Sequence, residues 1–197
     1  ATGTVYMASR NPNSPIGKIV NVFGKEGSDQ GPVFYTAYLQ LAGGYSQIGV
    51  TTAATAQPNA TDSTDDVVIS NTIYGGLFER YVMAAPSAVT NTANGYYSFV
   101  RGSIENNIYD GQFATQFYGA GYANVYGKVT TNIYGGCFGD VYAAGVKSTV
   151  YDGVELNIYD LEDNYDMLST KGTFCAASYS ADIPVPQTQG RPSVKLT

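Results

Sequence analysis

The residues able to do chemistry in this chain are mainly carboxylates and tyrosines. Among 197 residues there is no His and no Trp, while 16 are Asp or Glu, 18 are Tyr and two are Cys. Without His, neither a Ser-His-Asp nor a Cys-His nucleophile can be assembled. His-based zinc sites fall for the same reason, and two cysteines cannot build a Cys₄ site. Gly75-Gly76 and Gly135-Gly136 lack the following Lys and helix of a phosphate cradle and read as turn glycines. Asp110, Asp152 and Asp160 could supply the acid and base of a polysaccharide-cleaving β-helical enzyme. Each, however, falls at a turn, where Asp is common for backbone reasons. Two acidic stretches offer calcium-type oxygen ligands: Asp62, Asp65 and Asp66, and Asp160, Glu162, Asp163 and Asp166. Neither has EF-hand spacing, and a solvated acidic loop is the simpler account; Asp160, Glu162 and Asp163 stand as the calcium candidates. The expectation is a protein that is not an enzyme and carries no cofactor.

Cys137 and Cys175 have three open readings: a bond within the chain, a bond between chains, or free thiols. One glycosylation sequon, Asn59-Ala60-Thr61, lies in a stretch rich in Thr, Ala and Asp. Tyr74, Tyr109, Tyr134 and Tyr159 are candidate interface residues, for reasons that depend on the elements that position them.

Those elements follow from self-similarity. The segment Asn132-Ile133-Tyr134-Gly135-Gly136-Cys137-Phe138 recurs upstream as Asn107-Ile108-Tyr109-Asp110-Gly111-Gln112-Phe113 and downstream as Asn157-Ile158-Tyr159-Asp160, at equal spacing. A fourth copy, Thr72-Ile73-Tyr74-Gly75-Gly76-Leu77-Phe78, lies further upstream at a wider spacing, with an apparent insertion around Pro86 to Gly95. Val100, Val125 and Val150 share one column, and Ile104, Val129 and Val154 another. A degenerate copy is read at Gly17–Gly24, aligned on Gly127–Gly135 with one residue missing.

Each unit contains short β-prone runs parted by Gly or Asp turns, too short for independently stable hairpins. Runs of that length suit the sides of a coil whose strands pair in parallel with the next coil, about 4.8 Å away. The spacing therefore predicts an all-β, stacked-coil β-solenoid of about 25 residues per coil. The Ile and Phe columns point inward, Asn107, Asn132 and Asn157 form an amide ladder, and the Tyr column, one position after Ile, lies on the other face. Gln112 in the column of Cys137 places that cysteine outward. Residues 1–66 read as a less regular β-rich region, 67–160 as the coils and 161–197 as a Pro-containing extension, all within one domain.

Only 13% of residues are charged, and the formal net charge is −6. Scattered Lys and Arg cannot neutralise a phosphate backbone, so nucleic acid is not expected as a partner. No run of 18 apolar residues predicts a membrane-spanning helix. Ala1 in place of Met is read as either a trimmed start or a removed signal peptide, the second being the preferred expectation. Few charges with abundant Gly and Tyr suit extracellular β-rich material.

Units of the form Asn-Ile-Tyr-Gly-Gly-x-Phe, followed by Val-Tyr-Ala-Ala-Gly and Val-Tyr-Asp-Gly, resemble those of secreted β-solenoid surface proteins and adhesins over about residues 70–160. In composition and architecture the chain also resembles the sheath proteins that encase some methanogenic archaea. That second likeness implies an amyloid-like, self-assembled envelope layer stabilised in part by disulfides. The expected function is a structural protein of a cell-surface layer, sheath or filament, with further copies of itself as partner. An adhesin or sugar-binding module that takes cell-surface glycans is the alternative, and a polysaccharide-degrading enzyme the third reading.

Overall fold

The computed structural model describes residues 3–28, 30–35, 37–62, 64–159, 168–170, 172–177, 179 and 193–196. Among them there are nineteen strands, no α-helix, and two short 3-10 turns at Ala60–Asp62 and Thr92–Asn94. The protein is all-β, and every pairing between its described strands is parallel. The strands make three sheets of nine, four and six members.

The chain visits these sheets in rotation. Its first circuit passes β1 (Gly3–Tyr6) in the nine-stranded sheet, β2 (Ser14–Ile16) in the four-stranded and β3 (Ile19–Phe23) in the six-stranded. The second repeats this through β4 (Val33–Phe34), β5 (Ala37–Gln40), β6 (Ser46–Ile48) and β7 (Val67–Ile73). The third passes β8 (Leu77–Phe78), β9 (Val82–Met83), β10 (Phe99–Val100) and β11 (Ser103–Ile108). The fourth uses β12 (Gln112–Tyr118), β13 (Asn124–Val125) and β14 (Val129–Ile133). The fifth uses β15 (Gly136–Tyr142), a single bridge at Val150 and β16 (Val154–Ile158). A sixth enters the nine-stranded sheet as β17 (Leu168–Thr170) and β18 (Phe174–Cys175) and the six-stranded sheet as β19 (Ser193–Leu196).

Register keeps like residues together. In the six-stranded sheet Ile19, Ile69, Ile104, Val129 and Val154 occupy one position, and Phe23, Ile73, Ile108, Ile133, Ile158 and Leu196 another. Because side chains alternate across a strand, both sets up to Val154 and Ile158 face the same interior. There they meet Phe78, Phe113 and Phe138, whose rings stack with centroids 4.8 Å apart. Val100, Val125 and Val150 complete the same core, all fully buried. Burying each such side chain contributes about 1.5–3 kcal/mol.

The offset between paired residues falls along the chain, from 50 at Asn21–Asn71 to 35 at Asn71–Asn106 and then 25 at Asn107–Asn132 and Asn132–Asn157. Two excursions absorb most of the excess, one after β6 and one before β10. They close over the four-stranded sheet, where Gln57 donates to the Thr90 hydroxyl and accepts from the Tyr126 hydroxyl at 2.7 Å. Beneath them Gln47 exchanges hydrogen bonds with Ala54, its amide donating to the carbonyl at 2.9 Å.

Two sequence readings change. The copy at Gly17–Gly24 needs no missing residue within its strand: Phe23 stands beside Ile73 rather than in the Tyr column, and Gly24 follows where Tyr74 follows. Part of the C-terminal extension is also strand rather than tail, since Ser193–Leu196 pairs in register with Glu155–Ile158.

Candidate functional site

The outward residue next to the Ile column is Tyr in four successive circuits, and the structure brings all four together. Tyr74, Tyr109, Tyr134 and Tyr159 form a stack with centroids 5.0, 4.7 and 4.5 Å apart and ring planes within 18° of parallel. Parallel in-register pairing dictates this, because identical side chains recur at the interstrand spacing. Interior rings therefore spend both faces on each other and present edges and hydroxyls to solvent, Tyr109 being 41% exposed. Burial, and then the neighbouring Tyr159 phenol, push the pKa of Tyr134 upward. The column stops at Tyr74, since Gly24 has no ring to add.

Two amide ladders flank the Ile column. On the outer face Asn157 donates to Asn132 at 2.9 Å and Asn132 to Asn107 at 2.8 Å. The second ladder, which the repeat analysis missed, is inside. Asn21 donates to Asn71 at 2.8 Å, Asn71 to Asn106 at 2.8 Å, and Asn106 to the Thr131 hydroxyl at 3.1 Å and the Gly119 carbonyl at 3.0 Å. Asn71, Asn106 and Thr131 are fully buried. Its signal lay in the sequence as an Asn two residues before each of Phe23, Ile73 and Ile108.

A second tyrosine cluster was also missed. On the outer face of the nine-stranded sheet Tyr118 stacks on Tyr142 at 5.2 Å, with Tyr81 edge-on to Tyr118 and Tyr38 4.3 Å from Tyr81. Met83 and Val146 pack beneath them. Burial first, then the Tyr142 and Tyr122 phenols, push the Tyr118 pKa up to about 12. Tyr126, stacked on Tyr151 at 4.8 Å, is likewise pushed up to about 12, chiefly by burial.

The cysteines are not joined. Cys137 pairs with Gln112 and Ser169 in the nine-stranded sheet, whereas Cys175 pairs with Tyr142, five residues further along the strand. At about 3.3 Å per residue that is roughly 16 Å, against the ~7 Å Cα limit of a disulfide. The intrachain reading is thereby overturned; a bond between chains, or free thiols, remain. Cys137 is half-buried on the outer face and lines a shallow cleft of about 370 Å³ with Leu77 and Gln112.

Asp62 accepts from the backbone N–H of Asn59 at 2.8 Å, a local turn, and Asp110 accepts from Gly111 N–H at 2.7 Å. Among the described residues no three acidic or Cys side chains gather to hold a metal ion. Asp160, Glu162 and Asp163 lie outside the described residues. Asn59 is exposed on the first excursion. No helix among the described residues is long and apolar enough to cross a membrane.

Fold and ladders together define an all-β class of protein, with three parallel sheets and like side chains aligned from circuit to circuit. Comparison of the chain with protein-family models, curated proteins and solved structures finds no match in any of the three.

Proposed function

We propose that this chain is a β-solenoid structural protein, its circuits being the coils, and that it assembles with further copies into an extracellular layer, sheath or filament rather than catalysing a reaction. The supporting observation is a set of in-register parallel strands left open at the outside of the stack. Among the described residues β1, β2, β3 and β4 each pair on one side only, as do β17, β18 and β19. Unpaired edges of this kind template another chain unless they are covered, and no helix caps them among the described residues. Aromatic and amide ladders are the side-chain features that make stacked parallel strands resistant.

Sugar binding is the alternative, and in the main tyrosine column it would have to use ring edges and hydroxyls, since the interior ring faces are occupied. Electron microscopy of purified protein tests the assembly reading: filaments, tubes or sheets are expected, and a monodisperse monomer at high concentration would refute it.

A further inference from the structure

The two ends of the stack differ in shape. Among the described residues four edge strands of unequal length border the head: Gly3–Tyr6, Ser14–Ile16, Ile19–Phe23 and Val33–Phe34. A copy moved along the stack meets the nine-stranded and six-stranded sheets with their own continuations, in the same strand direction. A copy turned over about a two-fold axis runs the sheets in the opposite order. At most one sheet then faces itself, antiparallel, while the other two face each other. The apolar register position also continues in the first arrangement only: it reads Phe23, Ile73, Ile108, Ile133, Ile158 and Leu196, and the next Phe23 follows.

On these grounds we infer that the partner at the head is the tail of a second copy, with Ile19–Phe23 of one chain lying parallel to Ser193–Leu196 of the next. This rests on the assembly reading above and adds polarity to it. The contact is heterologous, so it propagates instead of closing as a dimer.

Backbone direction supplies a selective block at each end. In a parallel ladder successive residues turn their N–H and C=O to opposite neighbours. The Phe23 carbonyl accepts from Tyr74 at 2.8 Å, so Phe23 faces inward along the stack and Val20 and Val22 face the open side. Tyr159 donates back to Ile133 at 3.0 Å, which by the same alternation and register turns Val194 and Leu196 to the open side at the tail. Proline is tolerated where an edge N–H points away from the sheet. Val22→Pro therefore blocks the head and Val194→Pro the tail, with internal pairing retained. Val20→Lys with Val22→Lys, and Leu196→Pro, are the replacements should a proline variant lose its cooperative thermal melt.

Each blocked variant alone should remain monomeric by analytical ultracentrifugation, and the two mixed should give one-to-one dimers that grow no further. If wild-type protein assembles but the tail-blocked variant pairs with itself, or the mixture stays monomeric, the polarity is overturned and the assembly reading stands. If wild-type protein never assembles, both are overturned.

Discussion

An amide turned into an apolar interior must find its partners in the layers above and below. Asn106 does so on three counts: it accepts from Asn71 and donates to Thr131 and Gly119. Replacing it by Ala strands a buried donor on one side and two acceptors on the other. Asn106→Ala should cost about 2–4 kcal/mol in urea unfolding, because unsatisfied buried groups carry their full desolvation penalty. Asn107→Ala, in the half-exposed outer ladder, should cost about 1 kcal/mol or less. Equal losses at the two positions would show that burial does not set the ladder's worth. The outer ladder was legible because Asn107, Asn132 and Asn157 recur at one spacing. The inner one was not, because Asn21, Asn71 and Asn106 stand at two unequal spacings and the last position is Thr131.

At the scale of elements, tyrosines reveal how much a single bulge can hide. Tyr74 to Tyr159 were readable from the repeat, whereas Tyr118 and Tyr142 pair one position short of the repeat because the register shifts between Phe113 and Gln116. That shift removes Tyr142 from the column in which it would be sought. The cluster it builds, together with the separately buried Tyr126, makes the fold sensitive to alkali. In the folded chain Tyr118 and Tyr126 hold their protons to about pH 12, while an unfolded Tyr releases its proton near about pH 10. A folded pKa raised above the unfolded one gives stability that is complete below about pH 10 and is lost as pH rises through about 12. Melting temperature should therefore be flat in this respect below about pH 10 and fall between about 10 and 12, with phenolate absorbance appearing at the unfolding transition. Phenolate absorbance from these buried rings in the intact fold near about pH 10 would contradict the assignment. Tyr118→Phe with Tyr126→Phe should flatten the decline.

For the molecule as a whole, parallel pairing makes neighbours of residues distant in sequence, so a cut in the chain need not divide the fold. The first excursion is the place to make one: Thr51, Thr52, Ala53, Thr55 and Ala56 are exposed, whereas the strands on either side of it are paired into sheets. Elastase should cleave first among Ala53 to Ala56, and the two pieces should co-elute on gel filtration while separating on a denaturing gel. Separation without denaturant would mean that the strands before and after the excursion do not hold one another. The later circuits were legible because they follow one another at a constant spacing. The earlier ones were obscured because the excursions stretched that spacing while leaving the paired register intact, which is why residues 1–66 read as irregular although β1, β2 and β3 share sheets with the rest.

The same excursions add nothing to the height of the molecule. Residues added between strands widen the body and leave its height alone, since height counts layers at about 4.8 Å each. The six-stranded sheet holds six layers, so the proposed head-to-tail column would gain roughly 29 Å per copy. A chain with longer excursions and the same number of layers would advance by the same step, so length in such a polymer is counted in whole strands.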